Sequence, residues 1–152
     1  MAIPSSTMAY LLDTNILIHL IRGNVTGQAI SQTFGFAAGL NRCVISVVTV
    51  GEMYAFSRKL GWGPQKVEKL ESLLNQVVWV DINHPDILAA YGELDALSEK
   101  IGRRMGKNDI WIAATAKVSG ATLLTTDGDF DHLHPAQLNR TRVDDKTGAI
   151  IP

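Results

Sequence analysis

Asp13, Glu52, Asp109 and Asp127 are far apart in the chain, yet each stands where an apolar run meets a helix or a turn. In an α/β domain such junctions gather at one end of the sheet, so the four carboxylates would face one crevice. Carboxylates held within a few ångströms repel, and without a cation at least one takes up a proton at neutral pH. A divalent cation removes that conflict. Oxygen donors with no His or Cys at matching spacing favour Mg²⁺ or Mn²⁺ over Zn²⁺. Such an ion binds substrate phosphates, keeps several waters and lowers the pKa of one that can attack a phosphodiester in line. The chemistry implied is metal-dependent hydrolysis of something rich in phosphate. Taken singly, each acid has a plainer reading. Asp13 can start a helix, Asp109 can favour a helix dipole, Glu52 can be a surface residue and Asp127 can close a turn. Those readings weaken when all four fall at the same topological place.

The elements that must position these acids follow from hydrophobic periodicity and punctuation. Apolar runs predict strands over Ala9 to Leu12, Cys43 to Ser46, Val77 to Val80 and Thr122 to Thr125, with a short edge strand around Val143. Helical spacing predicts helices over Asn15 to Ile21, Thr26 to Leu40, Val47 to Leu60 and Gln65 to Leu74. A fifth helix opens at Pro85, with the stripe Ile87, Leu88, Tyr91, Leu94, Leu97 and Ile101. The sixth runs from Asp109 to about Ser119, with Asn108 as its cap. Strands alternating with helices imply a mostly parallel sheet covered on both faces. Ligands then sit beyond the carboxyl ends of the strands, where the four acids fall.

A chain of 152 residues suits a single domain spanning 1–152. Hydrophobic residues make up 46%, enough for a packed core and too many for a disordered chain. The lone Cys43 cannot form an internal disulfide and reads as a buried strand thiol. The apolar start is interrupted by Asp13, Asn15 and His19 and has no basic flank, which argues against a signal peptide or membrane span and for the cytoplasm. A net charge of -1 neither announces a nucleic-acid partner nor excludes one, since an acidic pocket would mask a basic rim.

Four segments, LLDTNILIHL, ISVVTVGEMYAF, KNDIWIAATA and ATLLTTDGDF, carry a resemblance to the PIN-domain family, and within it to the bacterial VapC-type ribonuclease toxins. They span nearly the whole chain in the family's order. The resemblance implies a three-layer α/β/α sandwich with a mostly parallel central sheet. It matches Asp13, Glu52 and Asp109 to the three central acids of the family's metal site and Asp127 to the fourth, more variable one. Asp129 can substitute for Asp127, join it, or simply form a turn with Gly128. Asn15 and Thr125 match polar residues that orient the acidic cluster. The resemblance further implies Mg²⁺- or Mn²⁺-dependent endoribonuclease activity, a cognate VapB-type antitoxin that occupies the RNA groove, and a homodimer.

Arg103, Arg104 and Lys107, just before Asp109, can hold RNA phosphates or form a solvated loop. Arg22, Arg58 and Lys59 are weaker candidates. Trp62 can stack on a base but reads better as a plug in a core or dimer surface. His132 and His134 are poorly spaced for a metal pair, and His19 and His84 have no evident role. The main enzymatic rival, a haloacid-dehalogenase-type phosphatase, needs a second acid two residues after its nucleophilic Asp. Asn15 stands there instead. A phosphoaspartate receiver would need a paired acidic loop before the first helix, and none is present. A binding scaffold that had lost catalysis would have lost acids. A housekeeping PIN nuclease with no toxin role is the remaining alternative.

Overall fold

The computed structural model describes residues 8–152; the first seven residues of the segment read for targeting lie outside them. The elements run β1 (Ala9–Leu12), α1 (Thr14–Arg22), α2 (Val25–Phe34), β2 (Arg42–Ser46), α3 (Val47–Lys59), α4 (Pro64–Gln76) and β3 (Val78–Val80). Then come α5 (Pro85–Lys100), α6 (Lys107–Ser119), β4 (Thr122–Thr125), a 3-10 turn (Gly128–Leu133), β5 (Arg140–Val143) and β6 (Ile150–Ile151). The sheet order is β3-β2-β1-β4-β5-β6. All neighbours are parallel except β5 and β6. The chain winds outward from β1 to β3, then returns to place β4 on the other side of β1. The switch point therefore lies between β1 and β4.

Alternation along the strands divides the core into two layers. Leu11, Val44 and Leu123 face α5 and α6 in one layer. Tyr10, Leu12, Ile45 and Leu124 face α1, α2, α3 and α4 in the other. The fold is thus the three-layer α/β/α arrangement with a mostly parallel sheet. No helix among the described residues is long and apolar enough to cross a membrane.

Local signals account for most helix ends. Asp13 accepts the first free amide of α1, and Gly23 ends that helix in the left-handed conformation at φ 61. Ser46 caps α3, and Pro64 opens α4 at a position where its missing N–H costs nothing. The packing of α1 on α2 depends on a missing side chain. A Cβ at Gly27 would lie 2.1 Å from the carbonyl oxygen of His19.

Several expectations are corrected. The second helix stops at Phe34, not Leu40, because Gly35 turns left-handed and the chain continues in turns. The last helix begins at Lys107 with Gly106 in the capping position, so Asn108 lies inside its first turn and caps nothing. In α5 the buried stripe is Ile87, Ala90, Leu94 and Ser98, while Leu88 and Ile101 are exposed. The strand around Val143 is interior to the sheet; β6 forms the edge.

Candidate metal centre

The carboxyl ends of β1, β2 and β4 deliver the site. Asp13 directly follows β1 and is 4% exposed. Its Oδ1 accepts from the Thr14 amide at 2.8 Å. Its Oδ2 accepts from the Thr125 hydroxyl at 2.7 Å and from Asn15 Nδ2 at 3.2 Å. Thr125, the last residue of β4, also accepts from the Asp127 amide at 2.9 Å. Asn15 Oδ1 accepts from the Thr126 amide at 3.3 Å, tying α1 to the loop after β4. The positions of Asn15 and Thr125 beside the acids are therefore geometric facts.

Glu52 reaches the same crevice from α3, where the Thr14 hydroxyl donates to its Oε1 at 2.7 Å. Thr14 Oγ1 is also 3.4 Å from the hydroxyl of buried Thr49. Sequence reasoning missed Thr14 and Thr49. Thr14 lies within a motif it singled out, but nothing local announces a bond to a residue 38 positions away.

Oxygens from Asp109, Asp127 and Asp129 all lie within 4.8 Å of one another. Asp109 comes from the first turn of α6, and Asp127 caps the 3-10 turn by accepting from the Asp129 amide at 2.9 Å. Asp13 and Glu52 fall outside that trio, but both are near enough to repel Asp109. Burial raises Asp13 from its ordinary 3.8 to about 6 despite its hydrogen bonds to Thr125 and Thr14, with further repulsion from Glu52 and Asp127. Burial, then the charges of Asp13, Asp127, Glu52 and Asp129, raises Asp109 to about 7. Repulsion from Asp127 is the main cause of the upward shift at Asp129. Among the described residues none of these five acids forms a salt bridge. Crowded, partly buried oxygen donors without a protein cation fit a hard divalent ion. Among the described residues no His or Cys joins the Asp109, Asp127 and Asp129 group, which disfavours a soft metal.

The remaining candidates are dispersed. Arg103 and Arg104 line a cavity that also holds Gly128, Asp129, Asp131 and His132; Lys107 does not line it. Arg22 ends α1, and Arg58 and Lys59 end α3; both helices begin at the acidic end of the sheet and carry these residues away from it. Trp62 packs against the core layer under α1 to α4, with Lys66 Nζ 5.2 Å above its ring. His132 and His134 form no metal pair. His132 Nε2 bonds the Ser98 hydroxyl at 2.9 Å, and His134 Nδ1 accepts from the Arg140 amide at 3.0 Å. His84 caps α5. Cys43 is half-buried, and burial pushes its thiol up to about 11, far from a reactive thiolate.

Comparison with known proteins agrees with this geometry. The PIN domain profile matches residues 10–134. Ribonuclease VapC2 of Haemophilus influenzae is 31% identical over 118 residues, covering 78% of this chain and 86% of that protein. The structure of VapBC2 from Rickettsia felis bound to a promoter DNA fragment is similar at TM-score 0.77 and 26% identity, over 89% of this chain and 98% of that one. The structure of VapBC-1 from nontypeable Haemophilus influenzae is similar at TM-score 0.72 and 28% identity, over the same shares. With the profile covering most of the chain, and the crevice between β1 and β4 lined by acids, this chain belongs to the PIN domain family.

Proposed function

We propose that this chain, as one domain over residues 1–152, is a Mg²⁺- or Mn²⁺-dependent endoribonuclease that hydrolyses RNA phosphodiester bonds and acts as the toxin of a VapBC-type pair. The observation that carries the reading is the convergence of Asp13, Glu52, Asp109, Asp127 and Asp129 on one crevice, with none of them in a salt bridge among the described residues. Relatives named Ribonuclease VapC support RNA as the substrate. Structures of VapBC complexes support a VapB-type antitoxin as partner. The homodimer and the cytoplasmic location belong to the same proposal.

In this reading Asp109, Asp127 and Asp129 hold the cation, with Asp13 and Glu52 completing its negative surroundings. When bound, the ion supplies a water of lowered pKa and positive charge beside the phosphate. Thr125 and Asn15 fix the Asp13 carboxylate so that its position costs no rearrangement during reaction. Thr14 does the same for Glu52. Arg103, Arg104 and Lys107 contact the RNA backbone.

The test is cleavage of labelled single-stranded RNA by protein freed of any copurifying partner. Cutting in Mn²⁺ or Mg²⁺ and none in excess chelator is expected; cutting that survives the chelator overturns the metal reading. Induction in a bacterial host should arrest growth, and normal growth with active protein would make this a housekeeping nuclease. A small protein from an adjacent reading frame should copurify and restore growth; its absence would remove the antitoxin from the proposal.

A further inference from the structure

The cavity of about 340 Å³ beside the acids has walls of opposite chemistry. One wall is the loop between α5 and α6, carrying Arg103 and Arg104. The other is the 3-10 turn, carrying Gly128, Asp129, Asp131 and His132. Asp129 belongs both to this lining and to the acidic trio, so the cavity is contiguous with the metal centre.

We propose that this cavity is a subsite for an RNA phosphate neighbouring the one that is cut, with Arg103 as its anion-binding group. The inference rests on the ribonuclease reading and deepens it. Its basis is the accounting of charge around the cavity. Asp131 is held between Arg140 at 3.4 Å and Arg142 at 3.2 Å. Arg104 is 3.3 Å from Glu99. Asp129 faces the metal centre. Of the two arginines that line the cavity, Arg103 alone forms no salt bridge among the described residues, and the Arg140–Asp131–Arg142 group behind it carries two positive charges to one negative, so the cavity's basic side is unanswered. A phosphodiester oxygen answers it by charge and by the geometry of the guanidinium fork.

Both walls hang on one buried residue. The carbonyl of Ser98, in α5, accepts from the Arg103 amide at 2.8 Å. Its hydroxyl, paired with His132 Nε2 at 2.9 Å, holds the opposite wall. Ser98 is 1% exposed and so ties the two walls together from beneath the surface. Ser98 and His132 are positioning residues here; Arg103 is the group that touches substrate.

The experiment measures binding apart from cleavage. A labelled single-stranded oligoribonucleotide is titrated with the Glu52→Gln protein in Mn²⁺ at several salt concentrations, with and without Arg103→Ala. Arg103→Ala is expected to weaken binding about three- to tenfold and to lower the slope of log affinity against log salt by about 0.7, one phosphate contact to single-stranded RNA. Arg103→Lys should restore the slope but only part of the affinity. In the otherwise wild-type enzyme, Arg103→Ala should raise KM more than it lowers kcat and leave Mn²⁺ binding unchanged. Lys69→Ala, on α4 near the far end of α1, serves as the charge-matched control. An unchanged salt slope with Arg103→Ala, or an equal change with Lys69→Ala, overturns the subsite while leaving the nuclease in place. A wild-type protein that neither binds nor cuts RNA overturns both.

Discussion

At the start of α1, Asp13 is buried among other carboxylates; six residues on, His19 is buried nearly as deeply in a second polar cluster. Around His19 every polar group has found a partner. Asn24 Nδ2 donates to Nδ1 at 3.1 Å, which leaves Nε2 to carry the hydrogen toward Asp145 at 2.8 Å. Asn24 Oδ1 accepts from the Gly27 amide, and Thr26 donates to the Asp145 carbonyl. This cluster fastens the β5–β6 turn to α1 and α2, and it is complete. The cluster at Asp13 has equally well-placed hydrogen bonds and no balancing charge. One helix therefore separates polar burial that fastens elements together from polar burial that crowds carboxylates. The distinction lies in the crowding of charge, since hydrogen bonding is satisfied at both ends: the one carboxylate at His19, Asp145, is largely exposed, whereas Asp13 is buried among other acids.

The sharpest way to separate them is Asp109→Asn. It should lower RNA cleavage at least about a thousandfold, about 4 kcal/mol of transition-state stabilisation. It should also raise the melting temperature of the metal-free protein by roughly 2–4 °C, because it relieves repulsion. Thermal melts beside the cleavage assay decide this, and a lower Tm would break the comparison. At the opposite cluster, Gly27→Ala should destabilise by about 3 kcal/mol, since its Cβ meets the His19 carbonyl. Cleavage per folded molecule should stay unchanged, as read by denaturant titration and active-site counting.

A pH series tests the imbalance directly. The folded pKa values of Asp13 and Asp109, about 6 and about 7, lie above the ordinary 3.8. Between pH 4 and 7 the folded protein then binds more protons than the unfolded chain. The contribution of these two carboxyls to metal-free stability should be fullest below pH 4 and fall as pH rises through 7, by about 3 kcal/mol for Asp13 alone. Denaturant midpoints measured with and without Mn²⁺ check it, and Mn²⁺ at pH 7 should reverse the loss. A smaller effect is expected from Thr14→Val, which removes the donor to Glu52 and should slow cleavage about tenfold, about 1.4 kcal/mol. An unchanged rate would make Thr14 a packing residue.

The sequence exposed the acids because each closes a readable element: Asp13 after an alternating strand, Asp109 before an apolar helix, Asp127 after Thr122–Thr125. Strand and helix alternation was enough for the layers and for the end of the sheet that carries the site. What escaped depends on contacts between distant residues. Ser98 and His132 meet across 34 positions, and no local pattern marks either. Asn108 looked like a cap because its side chain suits one, but the helix begins two residues before Asp109 and Gly106 takes that place. The strand Ile150–Ile151 is too short to show a period, so β5 was read as the edge. Asp129, left open between ligand and turn residue, lies within reach of Asp109 and Asp127 and also sits in the first turn of the 3-10 segment that Asp127 caps.

Arg140 and Arg142 stand on β5, beyond the last residue that the family profile matches, and both grip Asp131 in the turn that presents Asp129. A chain cut after His134 would keep every acid of the crevice and every family motif, yet lose the two arginines that hold Asp131 in this turn. The final strand pair is in that sense a tensioner for the site, and shortening this protein to its recognisable portion would slacken it.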